Sequence, residues 1–192
     1  MANRILFLLL IFNLLIGSIS AQLSDTSFAV FGDTKYTIKL ATRATSPSQE
    51  ENNVLLSLTV TDRNKNVKLL ADSLFCQRIF IQWKDFNNDN IEDLLMFSAT
   101  SARGNWVYYL YAVDARNKTL HRIKGFEEIA NPEFARADNV ITSYTLTGKN
   151  FYSFYRIDRQ YRLIDLHKSF ECELDERDSI QYEKVMREIR KR

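Results

Sequence analysis

Histidine, cysteine and proline are almost missing from this 192-residue chain, with two of each. Two imidazoles leave little room for the acid–base and metal chemistry that relies on histidine. His121 and His167 each stand in a strand-like or turn context beside a basic neighbour, Arg122 or Lys168. The chain contains no G-x-S-x-G, no H-E-x-x-H and no Gly-rich phosphate loop, so the common nucleophilic, zinc-dependent and nucleotide-dependent enzymes have no signature here. Glu127-Glu128 and the pair Glu171 and Glu173 read as exposed charge. The expectation is a protein without catalytic activity. An excess of one charge is missing too: 26 Lys and Arg stand against 24 Asp and Glu. Nucleic-acid binding needs a basic face, and a balance this close to neutral gives it no support.

What is present begins with a leader. Arg4 forms a short cationic start, residues 5–16 are apolar apart from Asn13, and Gly17-Ser18-Ile19-Ser20-Ala21 offers small residues to a peptidase. An apolar run of this length is well short of the ~20 residues that span a bilayer, so residues 1–21 read as a cleavable signal peptide. No cysteine lies near the cleavage site to carry a lipid. Loss of Arg4 with the leader leaves 25 cations against 24 anions, a mature net charge of +1. The expected location is periplasmic or secreted, with no membrane span after cleavage.

In an exported chain, Cys76 and Cys172 in their apolar settings suggest a disulfide. A loop of nearly a hundred residues is one for which chain entropy predicts ~4–5 kcal/mol of stabilisation. Two buried thiols are the other reading, because cysteine is also a good small hydrophobe. Asn117-Lys118-Thr119 matches a glycosylation sequon, which would mean little if the source were bacterial.

Residues 22–174 read as one β-rich domain and residues 175–192 as a C-terminal helix. Leu56-Ser57-Leu58-Thr59-Val60-Thr61 alternates with period two, and Asp62-Arg63-Asn64-Lys65-Asn66 makes a polar turn toward a returning strand at 67–70. Residues 75–83 and 106–113 are rich in aromatic and β-branched side chains on both faces, as strands covered on two sides require. Further strands are expected at 140–146, 151–157 and 161–166. Short strands with tight polar turns argue a mainly β antiparallel meander, in a propeller-like or sandwich arrangement. Residues 46–53 contain Pro47 and read as a polar loop. In the helix, Tyr182, Met186 and Ile189 recur at helical spacing, and Arg187, Arg190, Lys191 and Arg192 suit the negative end of its dipole.

One stretch carries chemistry. In Asp85-Phe86-Asn87-Asn88-Asp89-Asn90-Ile91-Glu92-Asp93, hard oxygen donors recur at alternate positions: Asp85, Asn87, Asp89 and Asp93, with the Ile91 carbonyl between the last two. That frame wraps a calcium-sized cation, and carboxylates this close repel one another without one. Asn90 stands where glycine normally makes the sharp turn, and asparagine tolerates positive φ better than most residues. The bidentate Glu of an EF-hand is absent, since Met96 holds its place, and strand-like flanks replace the helices. An Asx-rich turn without metal is the plainer alternative.

From this loop onward the chain resembles small bacterial periplasmic proteins with a calcium loop of the FG-GAP/VCBS kind. The residues behind the resemblance are Trp83-Lys84-Asp85-Phe86-Asn87-Asn88-Asp89-Asn90-Ile91-Glu92-Asp93-Leu94, then Gly104-Asn105-Trp106-Val107-Tyr108-Tyr109-Leu110-Tyr111, Asn131-Pro132-Glu133-Phe134, Ile141-Thr142-Ser143-Tyr144 and the last hairpin at 155–163. It covers roughly residues 75–166. It departs at Asn90, where glycine is expected, and at Ala135, where an Asp would follow Phe134. The resemblance implies a propeller-like β fold and Ca2+ held by Asp85, Asn87, Asp89, Ile91 and Asp93. Some members of that group inhibit lysozyme-like peptidoglycan hydrolases as immunity proteins, which makes a peptidoglycan hydrolase or other envelope protein the expected partner.

A metal-fixed loop would steady its neighbours, and Arg103, Gly104, Asn105 and Trp106 follow closely as a candidate partner surface. Arg, Trp and Tyr are enriched at interface hot spots. Core packing is the alternative for Trp106 and Tyr108, and a solvated turn for Arg103. A calcium-stabilised structural or cell-surface module without inhibitory activity is the alternative function.

Overall fold

The computed structural model describes residues 26–42, 52–63, 65–173 and 176–191. The expected leader and most of the loop expected at 46–53 lie outside the described residues. Among the described residues, twelve strands follow one another before a single α-helix: β1 (Thr26–Val30), β2 (Asp33–Thr42), β3 (Val54–Asp62), β4 (Lys65–Leu74), β5 (Ile81–Lys84), β6 (Asp93–Thr100), β7 (Trp106–Asp114), β8 (Thr119–Arg122), β9 (Pro132–Ala135), β10 (Val140–Leu146), β11 (Asn150–Ile157), β12 (Leu163–Cys172) and α1 (Glu176–Arg190). They form three four-stranded sheets, and in each the strands lie in chain order with antiparallel neighbours. This is the expected meander, three blade-like sheets packed in succession without closing into a barrel.

Side-chain alternation sets the stacking. In β3, Leu56 and Leu58 are fully buried while Ser57 and Thr59 turn to the other face, where their hydroxyls reach carbonyls of β2 at Lys39 and Thr37. The central strands of the second sheet, β6 and β7, are largely buried on both sides. Leu94, Met96, Tyr111 and Val113 join Ile38, Leu56 and Leu58 of the first sheet. Leu95, Phe97, Leu110 and Ala112 join Ile141 and Ile157 of the third sheet, together with Phe126. The far face of the third sheet packs Val140, Phe154 and Phe170 against Val185, Met186 and Ile189 of α1. The helical stripe read from Tyr182, Met186 and Ile189 is therefore the packed one, with Val185 added to it.

Junctions between sheets are stitched by polar side chains. Asn53 accepts from the Cys76 amide at 2.9 Å and donates to its carbonyl at 2.8 Å. Asn105 does the same for both backbone groups of Leu146, at 2.8 Å each, and so ties the second sheet to the third. An ionic cluster joins the first two sheets: Tyr111 and Arg122 both donate to Asp72, and Arg122 also donates to Glu127.

Two expectations need correction. The strand expected over 75–83 forms only at Ile81–Lys84; before it the chain is crossing between sheets, and the backbone of Cys76 is held by the Asn53 side chain instead of a ladder partner. The expected Cys76–Cys172 disulfide is absent. Cys76 is buried in the core between the first and second sheets, where burial pushes its thiol up to about 12. Cys172 ends β12 in the third sheet, and its thiol donates to Asp178 at 2.8 Å. Cys76 behaves as a small hydrophobe.

Docking of α1 should govern stability at the third sheet. Met186 is 1% exposed and Ile180 67% exposed. Met186→Ala is expected to cost ~2–5 kcal/mol in urea denaturation, and Ile180→Ala to stay within about 0.5 kcal/mol of the parent.

Candidate functional site

The turn between β5 and β6 is built from its own side chains. Asp85 Oδ1 accepts the Asn88 amide at 2.7 Å, and its Oδ2 accepts the Asn90 amide at 3.1 Å. Asn87 Oδ1 accepts the Asp89 amide at 3.1 Å, and Asp89 Oδ1 accepts the Ile91 amide at 2.8 Å. Each acidic or amide side chain at an alternate position thus fixes the backbone two to five residues ahead, in the manner of Asx turns. Asn88 and Asn90 both take left-handed φ, 62° and 67°, so asparagine makes the turn expected of glycine.

The loop is anchored on both sides of the second sheet. Phe86 is fully buried against Phe126 and Phe134 toward the third sheet. Ile91 packs against the core shared with the first. Asp93, also fully buried, accepts the Phe86 amide at 2.9 Å on one oxygen and the Val113 amide at 3.0 Å on the other. Burial drives its pKa up to about 7, and the charges of Asp89 and Asp85 add to the rise, although both amide bonds pull the other way.

Positive charge arrives from the third sheet. Arg136, in the short 3-10 turn between β9 and β10, donates from one nitrogen to Asp85 Oδ2 at 3.1 Å and to Asn90 Oδ1 at 2.7 Å. Sequence reading missed this residue, which lies 51 positions from Asp85. Among the described residues, no three acidic, histidine or cysteine side chains stand together as a ready-made metal cluster. The donor set is nevertheless of calcium's kind: three carboxylates, one carboxamide oxygen and the Ile91 carbonyl, all hard oxygens on a preset backbone. The mutual repulsion recorded at Asp93 is what a divalent cation would relieve.

The candidate partner surface lies at the other end of β6. Ser101, Arg103, Gly104 and Asn105 make a tight turn closed by bonds to Ser101 Oγ from the Arg103 and Asn105 amides. Arg103 is exposed and forms no ion pair with a described residue; its guanidinium rests against Gly148 in the β10–β11 turn. Trp106 is 39% exposed, whereas Tyr108 is core. Asn105 is committed to Leu146 and to Asn131, so its role is structural. Arg78 and Phe80 join this patch without having been singled out in the sequence. The Arg78 guanidinium lies 5.0 Å from the Phe97 ring centre, 5.4 Å from that of Trp106 and 5.7 Å from that of Phe80. Because β6 separates the two loops by its full length, the Asp85–Asp93 loop does not touch the Arg103 turn.

The histidines are apart. His121 stacks on Tyr161 with ring centres 3.9 Å apart, and its Nε2 lies 3.6 Å from Asp114. His167 is exposed beside Asp165. No described helix is long and apolar enough to cross a membrane. The chain matches no known protein family, no curated protein and no solved structure.

Asp93 gives a pH test. Its folded pKa, about 7, lies above the ordinary 3.8, so the folded protein holds a proton more tightly than the unfolded chain. In chelator, its contribution to stability is fully present below about 3.8 and declines as pH rises to about 7. Urea melts across that window should show the decline, and Asp93→Asn should flatten it while lowering stability throughout, because one of two backbone amides loses its acceptor. A slope of the opposite sign would contradict the assignment.

Proposed function

We propose that this chain is an exported, calcium-stabilised binding protein without catalytic activity, and that it acts by occupying a protein partner in the cell envelope. The observation that carries the calcium half is the Asp85–Asp93 loop itself, in which Asp85 and Asp89 set the backbone and Asp93 is buried at its end, with Arg136 as the cation at hand. When bound, the ion would be held by Asp85, Asn87, Asp89, the Ile91 carbonyl and Asp93, and it would supply positive charge to the loop. Asp93 keeps the two strands in register, and Phe86 and Ile91 root the loop in the cores on either side.

The binding half rests on the exposed turn at the far end of β6. Arg103 has no ionic partner of its own among the described residues, and the half-exposed rings of Trp106 and Phe80 flank Arg78. Arginine and tryptophan on a rigid support are the usual anchors of a protein interface. An acidic cleft is the complementary surface, and a peptidoglycan hydrolase with catalytic carboxylates offers one. This sharpening to an immunity-type inhibitor follows the sequence resemblance described above. The alternative, a calcium-stabilised structural module, shares the loop and lacks the partner.

Calorimetric titration of the protein with calcium should show one ion per chain, with Asp85→Ala and Asp89→Ala each weakening binding by at least about tenfold, or about 1.4 kcal/mol. Arg136→Gln removes an exposed competitor for Asp85 and should tighten binding about two- to fivefold. Absence of any calcium heat and of any calcium-dependent rise in melting temperature would leave an Asx-rich turn.

The partner surface has its own test. In a 1:1 complex captured with a wall hydrolase, Arg103→Glu should weaken affinity at least about tenfold by placing like charges together. An unchanged complex would reject the turn as the contact.

A further inference from the structure

Beside the Trp106 turn, a cleft opens against the second sheet where β9 begins. The resulting cleft is about 300 Å3 in volume, at the small end of the range for ligand pockets. Its floor is apolar, with Leu95, Tyr108 and Pro132, and Trp106 lies exposed at its side. Around that floor stand Gln82, Lys84 and Glu133.

These three polar heads differ from the other amide of the cleft. Asn131, on the same cleft, is bound into the framework: it accepts from the Trp106 amide and donates to the Tyr144 carbonyl and to Asn105. By contrast the amide of Gln82, the ammonium of Lys84 and the carboxylate of Glu133 make no hydrogen bond or ion pair with a described residue. The Lys84 ammonium lies over the Phe86 ring, 5.9 Å from its centre. The cleft therefore offers donors from Lys84, acceptors from Glu133 and both from Gln82, next to a flat indole that is backed by Phe97 at 5.6 Å and by Arg78.

Charge narrows the ligand. Lys84 and Glu133 are the only charged residues of the lining and cancel. A polyanion would meet Glu133 and a cation would meet Lys84, so neither is favoured. A neutral molecule with an apolar flat face and a rim of hydroxyl groups meets every part of the site: its C–H face on the indole, its hydroxyls on the three polar heads. We propose that this cleft binds a neutral saccharide, with one sugar ring seated on Trp106 and its hydroxyls held by Gln82, Lys84 and Glu133. This goes beyond the calcium reading and does not depend on it. The site shares only the Trp106 turn with the surface assigned to a protein partner, and that surface is tested separately by Arg103→Glu.

The test uses the two indole N–H signals of 15N-labelled protein. Trp83 packs on the opposite face of the second sheet, against the core shared with the first, and serves as an internal control. Two neutral probes distinguish the kind of sugar: a β-linked hexose trimer and a β-linked N-acetylhexosamine trimer. The expected result is a saturable shift of the Trp106 signal with at least one trimer at concentrations up to about 10 mM, weaker than typical dedicated sites, with Trp83 unmoved. A shift with the N-acetylated trimer alone supports the site and assigns an amino sugar. Trp106→Ala should abolish the response, read then by loss of trimer binding in calorimetry. Glu133→Gln, which preserves shape, should weaken binding about fivefold or more through loss of a charged acceptor. Absence of a Trp106 shift with both trimers overturns the proposal, as does binding that Glu133→Gln and Trp106→Ala both leave unchanged.

Discussion

The central strands of the second sheet, β6 and β7, are largely buried on both faces, and most of the molecule is arranged around that fact. Residues of β6 and β7 alternate between two cores, Leu94, Met96, Tyr111 and Val113 on one side and Leu95, Phe97, Leu110 and Ala112 on the other. A strand buried on both faces has no polar side from which to meet solvent, so its chemistry is forced to its ends. The fully buried carboxylate at that edge, Asp93, holds two amides: Phe86 from the preceding loop and Val113 from the neighbouring strand. An unpaired amide at that depth would be destabilising by ~1–3 kcal/mol. The cost of the solution is a buried charge that other charges nearby make worse, which is the physical opening for a cation.

The two rims of the sheet then differ in kind. At the β5–β6 end, side chains bond to their own loop and to Arg136, so the structure there is closed on itself and carries excess negative charge. At the β6–β7 end, the polar side chain that does the holding is Asn105, and the residues beside it, Arg103, Trp106 and Phe80, face outward. A metal at the first rim could not reshape the second directly. Its influence would pass along β6 as register and rigidity, both already set by a strand with two packed faces. A calcium dependence of partner binding would therefore follow from folding stability more than from a local switch.

The sequence was most legible where periodicity was pure. The hydroxyl–apolar alternation of residues 56–61, the two-sided runs in β7 and the helical stripe in α1 each correspond to a packed face. Pattern failed where a side chain overrides the ladder. Residues 75–80 have strand composition, but Asn53 takes the backbone groups of Cys76, and Arg78 is sandwiched among three rings. The spacing of Asp85, Asn87, Asp89 and Asp93 was legible as a loop, including its positive-φ asparagine. Arg136 was not, because its approach depends on how the third sheet stacks on the second, and nothing local to residue 136 records it. The same holds for Asn105: its amide reads as part of an exposed turn, yet it pairs with Leu146 across 41 residues. The disulfide failed for a similar reason, since apolar neighbours mark a buried cysteine without saying in which core.

Glycine is scarce, five residues in the chain, and the backbone shows the consequence. Among the described residues nine that are not glycine take positive φ, and four of these are asparagines: Asn88, Asn90, Asn131 and Asn139. Asparagine's short side chain can bond locally and offset part of the strain of the left-handed region. Asn90 in the loop is therefore no isolated departure from a glycine rule but an instance of how this chain turns corners. The substitution has a structural use here, because the Asn90 side chain receives Arg136, which a glycine could not do. Turn chemistry and part of the latch between the second and third sheets are thus served by one residue, and a glycine at that position would keep the turn while leaving Arg136 only its bond to Asp85.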